Sequence, residues 1–77
     1  MKIVKATDEK RLKLIEDLYM RAFPKSERKP FKLMVQKQSE GTMELLSIEE
    51  ENACLGLAIF AHDKDIALLD YYAISDH

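Results

Sequence analysis

The sequence predicts an α+β domain in which one strand, two helices and three further strands follow one another along 77 residues. Two observations carry this prediction. Residues 8–23 repeat apolar side chains at intervals of three and four, the period of an amphipathic helix. Residues 43–74 instead contain three strand-like runs joined by short turns, which connect only antiparallel neighbours. We therefore expect the order β-α-α-β-β-β, with both helices available to cover one sheet.

The first strand and the first helix are separated by a helix-start signal. Residues 1–6 are short and rich in β-branched side chains, which predicts a strand, and they stop at Thr7 and Asp8, a pair suited to capping a helix. Pro24 ends the helix over residues 8–23, because the residue before a proline is pushed out of the helical region. The apolar stripe of this helix consists of Leu12, Ile15, Leu18, Tyr19, Ala22 and Phe23.

A charged connection with a proline at each end leads to a second, shorter helix. Pro30 suits the first position of a helix, where its missing N–H is not needed. This helix is predicted over residues 30–39, with Gly41 as its stop. Because it is short, it needs support from packing. Its inward stripe is expected to be Phe31, Met34, Val35 and Gln38.

The remaining residues predict an antiparallel meander. Strands are expected over residues 43–50, 53–62 and 66–74, since no helical period interrupts them. The turns between them are predicted at residues 51–52 and 63–65. All 77 residues are expected to form a single domain, because this length supports one hydrophobic core at most.

Composition excludes several classes of function. Twelve Lys and Arg against fourteen Asp and Glu leave a net charge of -2 without a basic stripe, so no nucleic-acid partner is expected. The longest uncharged run, residues 52–62, is about half of the ~20 residues that a membrane-spanning helix needs, so no membrane partner is expected either. Cys54 is the only cysteine, which indicates a buried thiol in a cytoplasmic protein. His62 and His77 lack the spacing of metal ligands, and no metal site is expected.

Two short strings point to a family. Residues 22–31 read Ala-Phe-Pro-Lys-Ser-Glu-Arg-Lys-Pro-Phe, and residues 69–74 read Leu-Asp-Tyr-Tyr-Ala-Ile. The first is similar to the A-F-P-x-x-E-R-x-P-F connection between the first two helices of many bacterial GNAT-type N-acetyltransferases. The second resembles the L-E-Y-L-A-V pattern that precedes the R-x-x-G-x-G loop of that family. With the element order, the resemblance covers the whole chain and implies the first half of a GNAT fold.

The resemblance implies acyl transfer from acetyl-CoA to an amine, either a small molecule or a protein amino group. In that family the pantetheine amides pair with the backbone of the fourth strand, which points to Tyr72, Ala73 and Ile74 as cofactor-binding residues. Unpaired N–H and C=O groups at a strand edge bind an amide-bearing ligand as they bind another strand. The alternative is that these three residues are simply the end of a strand.

Asp70 is the candidate catalytic base, because an ammonium must lose its proton before it attacks a thioester. Strand alternation would place its carboxylate on the same face as Leu68 and Tyr72. The alternative is a strand carboxylate that faces solvent or pairs with a lysine. Glu27 and Arg28 are candidate substrate-binding residues, since the family's first interhelical connection commonly shapes the acceptor pocket. The alternative for both is a solvated charged loop.

No G-x-G run occurs in the sequence, so the diphosphate-binding loop of the family is missing and this chain alone is expected to be inactive. The strand over residues 66–74 is then expected to expose apolar side chains and an open edge, which predicts a homo-oligomer. Two functions remain open. One is the amino-terminal part of an acyl-CoA dependent N-acetyltransferase. The other is a non-catalytic interaction module that self-associates through its sheet edge.

Overall fold

Four strands and two α-helices form the part of the chain that the computed structural model describes, residues 1–51 and 53–75. The α+β class and the predicted element order are confirmed. A short 3-10 helix inside the charged connection is an addition that the sequence did not predict. In chain order the elements are β1 (Lys2–Lys5), α1 (Glu9–Ala22), the 3-10 helix (Lys25–Glu27), α2 (Phe31–Ser39), β2 (Met43–Glu50), β3 (Ala53–Asp63) and β4 (Ile66–Ile74).

Helix α1 begins and ends at the residues that its sequence signals indicate. The Asp8 carboxylate accepts a hydrogen bond from the backbone N–H of Arg11 at 3.1 Å, which satisfies one of the free donors of the first turn. Phe23 has left the helical region, with φ -124° and ψ 135°, directly before Pro24. The helix is one residue shorter at each end than predicted.

Gln38 attaches helix α2 to the sheet. Its side-chain amide donates to the carbonyl of Ala6 at 2.8 Å and accepts from the N–H of Leu45 at 2.7 Å. Ala6 also donates to the carbonyl of Leu45 at 2.8 Å. The buried amide therefore closes the end of the β1–β2 ladder with its nitrogen and its oxygen both paired. Gly41, at φ +86°, supplies the left-handed residue after the helix.

A partly buried ion pair joins the start of α1 to the end of β2. Arg11 donates to Glu49 through Nε at 2.7 Å and through a terminal nitrogen at 3.2 Å. Glu49 is only 4% exposed, so this two-point contact replaces most of its hydration. The hydrogen bonds from Arg11 hold the pKa of the Glu49 carboxyl below its usual range.

The strands form one antiparallel sheet in the order β1-β2-β3-β4. Within the described residues, β1 and β4 are therefore its two edges. Asp63 pairs with Ile66, so the β3–β4 turn contains two residues, Lys64 at φ +58° and Asp65, where three were predicted. In the β2–β3 turn Glu51 has φ +51°. Asn52, the other residue predicted there, lies outside the described residues.

Both helices pack against one face of this sheet. Ile48 and Ala58 are buried but do not belong to the core between helices and sheet, because alternation turns them toward the opposite face. No helix of residues 1–51 and 53–75 covers that opposite face. The predicted inward stripes are confirmed except for Ala22, which is exposed. The core consists of Ala6, Ile15, Leu18, Tyr19, Phe31, Met34, Met43, Leu45, Leu57, Ile59 and Tyr71, with Leu12, Phe23, Val35, Ala61 and Ala73 packed partly against it.

Candidate functional site

A β-bulge in β4 decides which way its side chains point. Ile59 of β3 pairs with Tyr71 and Phe60 pairs with Leu69, so Asp70 is an extra residue without a partner of its own in the ladder. A bulge of this kind bends the strand, and it is common at sheet edges and beside active sites. Asp70 therefore lies at the most irregular point of β4.

The bulge also corrects the predicted facing of Asp70. Leu68 pairs with Ala61, which packs on the core, whereas Tyr72 pairs with Ala58, which faces away from the helices. Leu68 and Tyr72 are thus on opposite faces, and the expectation that Asp70 shares one face with both is wrong. The physical reason is that one extra residue reverses the alternation of the strand.

Asp70 binds an ammonium group. The Nζ atom of Lys29 donates to Oδ2 of Asp70 at 2.8 Å, and the two residues are 41 positions apart in the sequence. This pair matches the lysine alternative considered for Asp70. The hydrogen bond from its ammonium to Asp70 raises the pKa of Lys29, which therefore stays charged. Lys29 was not among the predicted site residues, and its place in the charged connection was its only signal.

Two tyrosine hydroxyls hold the charged connection beside the bulge. Tyr71 donates to the carbonyl of Glu27 at 2.8 Å. Tyr19 donates to the carbonyl of Lys29 at 3.1 Å and accepts from the N–H of the same residue at 2.7 Å. Burial raises the pKa of Tyr19, so its hydroxyl keeps its proton and can donate one hydrogen bond while it accepts another. The two rings meet edge to face, with centroids 4.9 Å apart.

The predicted acceptor residues reach β4 through their backbone. Glu27 accepts the Tyr71 hydroxyl with its carbonyl, while its side chain is exposed. Arg28 is half-buried, and its guanidinium contacts the sulfur of Met20 on α1. The structure therefore brings the connection containing Glu27 and Arg28 next to the bulge at Asp70. Neither charged side chain makes an ion pair with Asp70.

The three predicted cofactor-binding residues differ in where their backbone groups point. The N–H of Ser75 donates to the carbonyl of Leu55 on β3 at 2.7 Å. The direction of the backbone N–H and C=O groups alternates from one residue to the next along an antiparallel strand. The N–H and C=O of Ala73 therefore also point toward β3, whereas those of Tyr72 and Ile74 point toward the open edge of the sheet. We call this stretch, Tyr72 to Ile74, the β4 edge. It offers two outward-facing residues to a ligand or to another strand.

Strands β3 and β4 approach each other closely at Gly56. A Cβ atom at this position would lie 2.5 Å from the carbonyl oxygen of Ala73 and 2.7 Å from Cδ1 of Ile74. Real Cβ atoms essentially never come so near. The absence of a side chain at Gly56 therefore fixes the position of the β4 edge.

Shallow grooves lie beside α1 and near the end of β4. The groove nearest the end of β4 has a volume of about 270 Å³, below the roughly 300–1,000 Å³ of small-molecule pockets. Two further grooves of about 230 and 210 Å³ flank α1. Asp70 and Tyr72 line none of these three grooves. The groove near β4 is lined by Leu14, Asp17, Leu18, Arg21, Ala53, Cys54 and Ser75.

The remaining candidates have local roles. Cys54 is partly buried rather than buried, and its thiol contacts the hydroxyl of Ser47 at 3.5 Å. His62 lies 3.4 Å from Glu44. Across residues 1–51 and 53–75 no three His, Cys, Asp or Glu side chains are grouped to hold a metal ion, and His77 lies outside this range. No helix in the same ranges is long and apolar enough to cross a membrane.

Comparison with known proteins adds no relative. No protein-family model, no curated protein and no solved structure matches this chain. The likeness to N-acetyltransferases therefore rests on the two sequence strings and on the element order.

Proposed function

We propose that this chain is the amino-terminal part of an acyl-CoA dependent N-acetyltransferase, inactive by itself, whose β4 edge takes the pantetheine of acetyl-CoA. The observation that carries the proposal is the contact between Asp70 and the Lys29 ammonium at 2.8 Å, only two residues before the β4 edge. It supports an amine acceptor, because the same carboxylate can hold a substrate ammonium. The acceptor is a small amine or a protein amino group.

The open backbone of Tyr72 and Ile74 supports the cofactor assignment. Two residues apart on one strand, their outward N–H and C=O groups repeat about every 6.6 Å. Pantetheine carries two amides along a flexible chain, and such amides pair with a strand edge as a peptide does. The diphosphate of the cofactor needs backbone donors such as those of a G-x-G loop, and no G-x-G run occurs in this sequence, so we assign the diphosphate contacts to another part of the proposed enzyme.

The proposed reaction uses Asp70 as the base. The acceptor arrives as an ammonium and takes the place of Lys29 on the carboxylate. Asp70 would take one proton from this ammonium, and acetyl-CoA, when bound, would supply the thioester for the free amine. The nitrogen would lose its second proton as the C–S bond breaks, and the departing thiolate would take that proton up. Glu27 and Arg28 would then line the acceptor side through the connection that Tyr71 and Tyr19 hold in place.

Titration with S-acetylpantetheine tests the cofactor site. Amide signals of Tyr72 and Ile74 should shift, with a dissociation constant on the order of 1 mM for a ligand lacking the diphosphate. Tyr72→Pro removes an outward N–H without breaking the β3–β4 ladder and should weaken binding at least fivefold. Tyr72→Ala keeps the N–H and is the matched control. Amide signals that stay unchanged at 10 mM ligand would refute the assignment.

An amine rescue experiment tests the role of Asp70. Lys29→Met leaves the carboxylate without its ammonium, so butylammonium should bind there and raise the melting temperature. Tetramethylammonium, which has no N–H donor, is the control ligand and should not. The double variant Lys29→Met, Asp70→Asn should lose the response. If butylammonium stabilises both variants equally, Asp70 is not an amine site.

A non-catalytic interaction module is a second candidate, favoured by five β4 side chains that are all more than half exposed: Ile66, Leu68, Leu69, Tyr72 and Ile74. Both candidates fit a cytoplasmic protein, which the single free thiol of Cys54 supports. Titration with S-acetylpantetheine separates them. A module of this kind would associate without responding to the ligand.

A further inference from the structure

The charged connection and the first turn of α2 carry a local excess of positive charge. Residues 25–32 contain four cations and one carboxylate, a net charge of +3, whereas the whole chain carries -2. The remaining residues taken together are therefore acidic. Three of the four cations are exposed and one is half-buried. We call these four residues the basic cluster: Lys25, Arg28, Lys29 and Lys32.

The backbone holds this basic cluster beside the bulge of β4. The carbonyl of Glu27 accepts the hydroxyl of Tyr71, the residue that follows Asp70, at 2.8 Å. The Nζ atom of Lys29 contacts Asp70 itself at 2.8 Å. Lys25 and Lys32 are four and three positions from Lys29, so their Cα atoms lie no more than about 14 Å from it. Their long side chains can therefore reach a ligand that is bound at Asp70.

Most of the basic cluster has no acidic partner within the protein. Among residues 1–51 and 53–75, no carboxylate forms an ion pair with Lys25, Arg28 or Lys32. The half-buried guanidinium of Arg28 contacts the sulfur of Met20 instead. Lys29 alone is paired, and it neutralises the single carboxylate of β4. Three cations are therefore available to an anionic ligand.

An amine that replaces Lys29 on Asp70 changes the charge balance of this surface. The displaced ammonium of Lys29 loses its partner, so a simple alkylamine exchanges one ion pair for another and adds a positive charge to a surface that is already basic. An acceptor that also carries a carboxylate restores both pairs. Its ammonium binds Asp70, and its carboxylate binds Lys29.

We propose that the acceptor is a peptide amine within an acidic sequence, and that the basic cluster selects it. This inference rests on the proposed function, because it takes Asp70 as the site of the acceptor amine. Cations spread over eight residues match carboxylates spaced along a peptide better than they match one small amine. A nucleic acid is less suitable, since it has no ammonium for Asp70 and its phosphates would meet the carboxylates of Glu27 and Asp70.

Titration of the full chain with three peptides, followed through its amide NMR signals, tests the acceptor class. The acidic lysine peptide has blocked ends and one lysine with three glutamates on either side. The second peptide has glutamines in place of the glutamates, and the third has norleucine in place of the lysine. At about 20 mM salt the acidic lysine peptide should bind at least about tenfold more tightly than the glutamine peptide, and at about 500 mM salt screening should reduce this ratio to about threefold or less.

The norleucine peptide isolates the contact with Asp70. It carries one more net negative charge than the acidic lysine peptide, so the basic cluster alone would favour it. The acidic lysine peptide should nevertheless bind about threefold more tightly, because it alone offers an ammonium to Asp70. This preference for lysine should disappear in Asp70→Asn.

Two double variants locate the preference for glutamate. Lys25→Gln with Lys32→Gln should reduce the ratio between the acidic lysine peptide and the glutamine peptide at least about threefold. Lys2→Gln with Lys5→Gln is the matched control, because it removes two charges from exposed lysines of β1, at the other edge of the sheet. An equal loss in both double variants would show an effect of net charge alone and would overturn selection by the basic cluster.

The outcomes separate this inference from the proposed function. If the acidic lysine peptide and the glutamine peptide bind equally while lysine is still preferred to norleucine, the acidic acceptor is wrong and Asp70 remains an amine site. If lysine and norleucine peptides bind equally, Asp70 is not an amine site, and the proposed function and this inference both fail. Tighter binding of an oligonucleotide with six phosphates than of the acidic lysine peptide would also overturn the inference, because the basic cluster would then serve nucleic acid.

Discussion

Gly56→Ala is expected to be the most damaging single-methyl change in the sheet. The new Cβ would lie 2.5 Å from the Ala73 carbonyl oxygen and 3.3 Å from Cα of Ile74, and both are backbone atoms that cannot rotate away. Strand β4 would have to retreat by about an ångström to restore an ordinary contact. Overpacking in well-ordered sites typically costs 1–3 kcal/mol, and we expect about 3 kcal/mol here.

Gly41→Ala is the matched control for the same chemical change. No atom lies within 4 Å of a Cβ at that position, but its φ of +86° is unfavourable for alanine. This change should cost about 1 kcal/mol. Urea unfolding at low micromolar concentration compares the two variants. Against a total stability of about 5–10 kcal/mol for a chain of this size, the difference is readily measured.

The reasoning about the close β3–β4 approach fails if Gly56→Ala costs no more than Gly41→Ala. A second readout locates the effect. Amide hydrogen exchange of Ala73 should accelerate in Gly56→Ala, because the retreat of β4 lengthens its hydrogen bonds to β3. Exchange near helix α2 should change little.

Three further changes test other contacts. Tyr71→Phe should lower the free energy of unfolding by about 1 kcal/mol, because it removes the hydrogen bond from the Tyr71 hydroxyl to the carbonyl of Glu27. Tyr72→Phe is the control and should change the free energy of unfolding by no more than about 0.5 kcal/mol. Equal urea midpoints for the two variants would show that this hydrogen bond does not stabilise the fold. Gln38→Leu should cost about 2–4 kcal/mol in the same assay, since it leaves two buried backbone groups unpaired, and a neutral result would contradict this. The hydrogen bond from Arg11 lowers the pKa of Glu49 in the folded chain. The ion pair therefore contributes its full share to the free energy of unfolding above about pH 4.3, the pKa of glutamate in the unfolded chain. This contribution is lost as the pH falls through the lower pKa of the folded chain. Glu49→Gln should therefore be less stable than wild type at pH 7, with the gap in melting temperature narrowing below about pH 4; a gap that widens on acidification would refute the sign.

Local periodicity was enough to predict the elements of this fold. The apolar repeat of α1, the proline after it and the glycine after α2 each act within a few residues, so their physical effect is visible in the sequence. Strand β4 was predicted at its observed bounds for the same reason. The short 3-10 helix was missed, because a single turn of three residues has no period to detect.

The bulge at Asp70 could not be predicted from the sequence of β4. Side chains alternate regularly between the two faces of a strand only when every residue has a partner on the neighbouring strand. The partners of β4 lie on β3, so the sequence of β4 alone does not show that Asp70 lacks one. Regular alternation from Leu68 would place Tyr72, rather than Tyr71, on the side of the helices. In the structure Tyr71 is buried against α1 and Tyr72 is more than half exposed.

The contact between Lys29 and Asp70 was beyond prediction for a related reason. It joins residues 41 positions apart, and nothing in the charged connection distinguishes Lys29 from its basic neighbours. The prediction that this connection shapes an acceptor pocket came from the resemblance of its sequence to a family, and the structure places the connection beside β4. The structure accounts for that proximity through the hydroxyl of Tyr71, which is fixed by its burial in the core.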